Sequence, residues 1–141
     1  IDFGYRIDSG GKSMFFTGDH EPPYNIYEPG DSEFIEYQQF VDEKQQAIVQ
    51  AIRGVDVLIA DASYTRQEFP AKRGWGHGSY DTSIAMARQA KVKTLFCTHH
   101  EPTRSDDALE AAFAQALAEN PDPSGDGPDI HLAREGGYFE F

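Results

Sequence analysis

The sequence predicts an α/β domain, strands alternating with helices in one layered unit, on three observations. Two short, nearly continuous apolar runs, Val55-Asp56-Val57-Leu58-Ile59-Ala60 and Val92-Lys93-Thr94-Leu95-Phe96-Cys97, have the composition of strands buried on both faces. Segments with apolar residues at helical spacing flank each of them. Polar, ligand-type side chains stand directly after the strand candidates, where sheets covered by helices hold their ligands.

In chain order, residues 3–8 and 12–17 predict two strands joined by Ser9-Gly10-Gly11, whose glycines accept positive φ without steric cost. The opening run Ile1-Asp2-Phe3-Gly4-Tyr5-Arg6-Ile7-Asp8 already alternates like a strand and carries no initiator Met or leader pattern, so the expectation is a chain cut from a longer protein. The stretch from Gly18 to about Gly30 is rich in Pro, Gly, Tyr and acid and reads as a surface loop. Asp42 is the expected N-cap of a helix over 42–53, with Ala47, Ile48, Ala51 and Ile52 at helical spacing and Gly54 as its stop. A strand over 55–60 ends at Asp61, and 62–80 reads as a long loop. A helix from Asp81 to Ala90 and a strand over 92–97 follow. Ser105 caps the next helix, with Asp106 and Asp107 in its first turn where the macrodipole favours carboxylates. Ala108, Leu109, Ala112, Phe113, Ala116 and Leu117 form its apolar stripe, and Asn120-Pro121 ends it. Beyond the loop 121–128, residues 130–133 and 137–141 predict a closing hairpin.

At 141 residues the chain is one domain or part of one. Twelve basic residues against 24 acidic ones leave a net charge of −12, which argues against a surface that tracks many phosphates unless something positive, such as a bound metal ion, is added. Hydrophobic content of 39% is too high for a disordered acidic tail, and no apolar run approaches the roughly 18 residues of a membrane span. Cys97 is the only cysteine, so an internal disulfide and a thiolate zinc knuckle are both excluded. The default location is the cytoplasm, and Cys97 reads as a small core residue.

Four of the five histidines fall at strand ends or in the loop after Asp61: His20 beside Asp19, His77 between two glycines, and the pair His99-His100. An imidazole and a carboxylate converging on one crevice suit Zn²⁺, Mn²⁺ or Fe. Each residue also has a plainer reading. Asp19 and Asp61 can serve only to fix turns, His99 to satisfy a hydrogen bond, and Gly76-His77-Gly78 to form a loose loop. His20, Asp61, Trp75, His100 and Glu101 are candidates for supporting or substrate contacts, or for solvated surface. Tyr24, Tyr27, Tyr64 and Trp75 can stack a base or sugar or simply pack.

Taken in order, Thr17-Gly18-Asp19, Val57-Leu58-Ile59-Ala60-Asp61-Ala62, Trp75-Gly76-His77-Gly78-Ser79 and Leu95-Phe96-Cys97-Thr98-His99-His100-Glu101-Pro102 resemble the C-terminal half of the metallo-β-lactamase-fold hydrolases. Within that superfamily the pattern is most similar to the branch of ribonuclease Z and related phosphodiesterases. The resemblance implies half of an αββα sandwich spanning residues 1–141, with two divalent ions, zinc first and manganese or iron as alternatives, bound between the sheets. It implies Asp19 as a carboxylate bridging both ions, His99 as a terminal imidazole ligand and His77 as the catalytic residue contacting the transition state or donating a proton. Gly78 separates His77 from Ser79, a departure from the family's His-Ser-Thr. The family's His-x-His-x-Asp-His motif is absent from the sequence, so most ligands are expected from a preceding half, and the segment alone is expected to bind metal weakly and to be inactive.

The implied activity is metal-dependent hydrolysis of a phosphodiester. Sparse basic residues, with Arg66, Lys72 and Arg73 the only local cluster, favour a small phosphodiester over a long nucleic acid. An esterase or lactonase on the same fold, and a non-catalytic module acting in binding or dimerisation, are the alternatives. No membrane partner is expected; a homo-oligomer, or pairing with the missing half, is.

Overall fold

The structure, a computed structural model, describes residues 3–141; Ile1 and Asp2, which open the alternating run, lie outside the described residues. A hairpin of β1 (Tyr5–Ser9) and β2 (Lys12–Phe16) opens the chain. Its two turn glycines, Gly10 and Gly11, have φ of +58° and +80°, as a tight two-residue hairpin turn requires. There follow α1 (Phe34–Ala51), β3 (Val57–Asp61), a four-residue helix α2 (Phe69–Lys72), α3 (Tyr80–Ala90), β4 (Thr94–Thr98), α4 (Asp106–Glu119) and β5 (Asp129–Leu132). Among the described residues no helix is long and apolar enough to cross a membrane.

The five strands lie in the order β1-β2-β3-β4-β5, with β1 antiparallel to β2 and every other pair parallel. Parallel neighbours need a crossover between them, and α1, α3 and α4 supply the three. Register places Phe15, Leu58, Leu95 and Ile130 in one row and Ala60, Cys97 and Leu132 in another. These rows form the sheet side of the core, packed with Val49 and Ile52 from the first crossover, Tyr80, Ile84 and Ala87 from α3, and Phe113 and Ala116 from α4. The alternate row, Phe16, Ile59, Phe96 and His131, points to the opposite face. There the C-terminal tail approaches, Phe139 meeting Phe96 edge-on at 5.1 Å between ring centres.

Three expectations are corrected. The first long helix begins at Phe34, not Asp42, because Asp42 sits inside it and its Oδ1 accepts a hydrogen bond from Gln38 Nε2 one turn earlier, at 2.8 Å. Val41, Ile48, Val49 and Ile52 share its inner face, so the helical period extends upstream of the assumed cap. The loop 62–80 contains α2, with Pro70 in its first turn, where a missing N–H costs nothing. Finally, residues 137–141 form no strand: β5 pairs only with β4, and Phe139 rests on Phe96 of the sheet face with Phe141 stacked on Phe139. The capped helix at Ser105 forms as expected, with the Ala108 N–H donating to Ser105 Oγ at 3.3 Å.

Candidate metal centre

Because β2, β3 and β4 are parallel, their carboxyl ends lie at one edge of the sheet. Asp19 follows β2 by way of Thr17-Gly18, Asp61 is the last residue of β3, and His99 follows β4. Thr17 continues the ladder, its N–H donating to Ile59 O at 3.0 Å, and its hydroxyl accepts from the Asp61 N–H at 3.1 Å. His99 has φ of +59°, a left-handed conformation that costs a non-glycine residue about 1–2 kcal/mol and turns the chain sharply off the strand.

His77 arrives from the segment before α3, and several contacts fix that segment. Ser79 caps α3 in a reciprocal box: Thr82 N–H donates to Ser79 Oγ and Ser79 N–H donates to Thr82 Oγ1 at 2.9 Å. Tyr64 N–H donates to Gly78 O at 3.1 Å, and Tyr80 N–H donates to Tyr64 O at 3.0 Å, forming a small parallel bridge. Gly78 is buried, and a Cβ there would stand 2.9 Å from Asp61 O and 3.0 Å from His20 O. The departure at Gly78 therefore has a local cause, since the backbone passes too close to two other main chains for any side chain.

One ligand atom each from Asp19, Asp61, His77 and His99 lies within 4.8 Å of all the others. The four are not equivalent. The Asp61 side chain is fully buried and its carboxylate is held by donors from three residues. Its Oδ2 accepts from the His20 N–H at 3.1 Å and from His77 Nδ1 at 2.8 Å, and Oδ1 accepts from the Ser63 N–H at 3.2 Å, while the one proton of Ser63 Oγ is shared between Oδ1 at 2.8 Å and His99 O at 2.5 Å. An ionised carboxylate only accepts, so Nδ1 carries the proton of that bond and His77 Nε2 is left for other chemistry. Asp19 and His99 are about half-exposed, and His99 Nδ1 lies 3.3 Å from Asp19 Oδ1. Two ligands of one tetrahedral ion at about 2.0–2.1 Å each lie about 3.3 Å apart, so this pair fits a shared divalent cation. The His77 and His99 rings stack at 4.3 Å, and buried Tyr64 meets His77 edge-on at 6.2 Å.

The remaining candidates contribute no ligand atom to this group. His20 adjoins it through its main chain. His100 directs Nε2 at Ala133 O, 2.9 Å away, beyond the end of β5, and Glu101 accepts from Thr103 Oγ1 at 3.0 Å. Trp75 is 63% exposed and lies under Lys72, whose Nζ is 4.0 Å from a ring centre. Arg73 covers Tyr24, and Tyr27 packs edge-on against Tyr37 at 5.3 Å. Arg66 is paired with Asp81 and approaches Glu119, so little of the basic cluster is free for phosphates. Burial pushes the Tyr64 hydroxyl above its usual range, an effect that Glu101 and Asp61 reinforce. Sequence reasoning missed Glu21 and Ser63; the signal for Glu21 lay in the spaced glycines Gly74 and Gly76, whose N–H groups its carboxylate receives.

No family model matches the sequence. Ribonuclease Z of Brevibacillus brevis (strain 47) is 27% identical over 104 residues, covering 74% of this chain and 30% of that protein. Ribonuclease Z of Saccharolobus solfataricus is 33% identical over 72 residues, covering 51% of this chain and 24% of that protein. Among solved structures, the metallo-β-lactamase fold protein YhfI from Bacillus subtilis superposes with a TM-score of 0.54 at 15% identity, over 92% of this chain and 40% of that one. The chain thus spans less than a third of the length of these curated relatives.

Proposed function

We propose that this chain, which has the metallo-β-lactamase fold and is similar in sequence to ribonuclease Z, is the C-terminal half of a metal-dependent phosphodiesterase. The observation that carries the proposal is the meeting of Asp19, Asp61, His77 and His99 at one edge of the sheet. The row Phe16, Ile59 and Phe96, on the face opposite the helices, is where the other sheet of the αββα sandwich would pack and bring the remaining ligands. That assignment is supported by the small share of each relative that the chain covers.

Asp19 and His99, whose ligand atoms stand 3.3 Å apart, would hold the metal. Bound divalent ions supply an activated water near neutral pH and stabilise charge on the phosphoryl oxygens. Two protein ligands are fewer than the three usual at a catalytic zinc, so tight binding depends on the rest of the protein. As an imidazolium, with Nδ1–H still on Asp61, His77 would give its Nε2 proton to the leaving oxygen and return to the neutral Nδ1–H form, a role typically worth about 10²–10⁴-fold in rate. Asp61 holds the ring in the tautomer this requires and stabilises it once charged.

The substrate class is a phosphodiester. The chain's net charge of −12, with Arg66 neutralised by Asp81 and with Lys72 and Arg73 laid over aromatic rings, favours a small one. A second reading, an RNA phosphodiester, is favoured by the name of the relatives, ribonuclease Z.

The test is elemental metal analysis of the intact protein and of the 141-residue chain, with turnover of bis(p-nitrophenyl) phosphate and of a structured RNA on the same samples. The expected result is about two metal ions and phosphodiester turnover in the intact protein, and little of either in the chain alone. No metal and no turnover in the intact protein overturns the proposal, and faster cleavage of RNA than of small esters moves the substrate to the second reading.

A further inference from the structure

We propose that Glu21 is the positioning residue that sets His77 relative to the metal ligand Asp19; the inference rests on the function proposed above. Glu21 stands two residues after Asp19, on the segment leaving β2, and its side chain reaches more than fifty residues along the chain. Oε1 accepts the Gly74 N–H at 2.7 Å and Oε2 accepts the Gly76 N–H at 2.9 Å. Hydrogen bonds to an ionised acceptor are roughly twice as strong as neutral ones, and two on one carboxylate fix orientation as well as distance.

The glycines argue that the clasp matters. Gly74 and Gly76 have φ of +86° and +89°, and a Cβ at Gly76 would meet nothing within 4 Å, while one at Gly74 would meet only the Tyr24 hydroxyl at 3.6 Å. Space is therefore not the reason for glycine at either position. The left-handed backbone is, and it aims both N–H groups at Glu21. Gly76 directly precedes His77, so the clasp holds the main chain one residue from the imidazole.

Two carboxylates thus join the same two segments at different points. Asp61 Oδ2 receives the N–H of His20, the residue between Asp19 and Glu21, together with His77 Nδ1. Asp61 fixes the His77 ring while Glu21 fixes its backbone. Asp61 acts on the ring and the Tyr64–Gly78 hydrogen bond on the main chain after it, while Glu21 supplies the side-chain contact to the main chain before it. With Glu21 in place, the spacing between the metal ligand and the proton donor is set on both sides.

The test uses the intact protein and aryl phosphodiesters with leaving groups from p-nitrophenol to phenol. p-Nitrophenolate leaves without a proton and phenolate needs one, so the loss of a positioned acid appears chiefly on the phenyl ester. Glu21→Ala is expected to lower kcat on the phenyl ester by about 10- to 100-fold and on the p-nitrophenyl ester by less than about threefold, with KM and bound metal unchanged. Amide exchange at Gly74 and Gly76 is expected to accelerate. Glu21→Gln, which keeps one acceptor oxygen, is expected to recover part of the loss. In His77→Ala the further change Glu21→Ala should cost nothing more, since both remove the same contribution.

Additive losses in the double variant, unchanged amide exchange, or loss of metal from Glu21→Ala each overturn the positioning role. If His77→Ala itself keeps the parent's leaving-group dependence, the acid role of His77 falls and this proposal falls with it. If His77→Ala shows the loss and Glu21→Ala does not, only the role of Glu21 is overturned.

Discussion

His77 Nδ1 lies 2.8 Å from Asp61 Oδ2, and the carboxylate that receives it is wholly shielded from solvent by donors from its own chain. That contact joins the end of β3 to a loop sixteen residues later, and it commits the proton on His77 to the buried nitrogen.

Asp61→Asn should therefore separate turnover from metal content. An amide offers one acceptor oxygen where the carboxylate offers two, and its NH₂ opposes Nδ1–H, which favours the wrong tautomer. The expected outcome is a fall in kcat of about 10²–10⁴-fold with metal retained, and a loss of about 1–3 kcal/mol in stability from donors left unsatisfied. Kinetics, metal analysis and urea unfolding of the intact protein check it; parent-like turnover would remove the pair from the mechanism.

Gly78→Ala should damage the same site through the backbone. The new methyl would stand 2.9 Å from Asp61 O and 3.0 Å from His20 O, and neither main-chain atom belongs to a flexible side chain that can step aside. The expected cost is about 1–3 kcal/mol in stability, with a drop in kcat as His77 is displaced. Unfolding midpoints and steady-state rates on the two proteins decide it.

Asp56 predicts an acid dependence far from the site. Lys93 Nζ, 2.6 Å from Asp56 Oδ1, and the Ser13 N–H, 2.8 Å from Oδ2, lower its carboxyl from 3.8 to about 2. A carboxyl depressed in the folded state stabilises above its unfolded pKa, and that contribution disappears as pH falls through the folded one. Asp56→Asn should therefore be less stable than the parent above about pH 4, with the gap closing toward pH 2. A gap that stays constant over this range in urea titrations would contradict the assignment.

Cys97 should be inert in the folded chain. It is fully buried in β4, and burial alone pushes its thiol up to about 12. Since the thiolate is the reactive form, a disulfide reagent near neutral pH should find no thiol in the native protein and one after unfolding. Prompt labelling without unfolding would show that β4 opens locally.

The sequence revealed the strands that end at the site and the ligands that follow them, because short apolar runs and polar residues just beyond them are local patterns. Asp19, Asp61 and His99 were legible in that way as candidates, while His77 stood out in a glycine-flanked loop and only the ordered motifs joined it to the others. Their pairing was not legible: nothing in the sequence shows that Asp61 commits its carboxylate to His77 and Ser63 and so differs from Asp19. The start of α1 was obscured because Asp42, a good cap by composition, instead bonds Gln38 along the helix flank. The tail 137–141 has the alternation of a strand, yet it spends its aromatics on Phe96 through packing that no strand pattern foretells. His100 and Trp75 drew notice for their chemistry, but local geometry turns one toward Ala133 and places the other under Lys72.

Asp19 and His99 leave the sheet from β2 and β4, with β3 lying between those strands. An ion shared by the two ligands would therefore also be a cross-link, closing the chain from residue 19 to residue 99 and tying the ends of β2 and β4 across β3. Closing so long a loop restricts the unfolded chain much as a disulfide would. In a chain whose only cysteine is buried and free, such an ion would act as a removable staple of this sheet edge. Chelation should then lower the melting temperature of the intact protein along with its activity, by an amount that grows with the free metal it displaces.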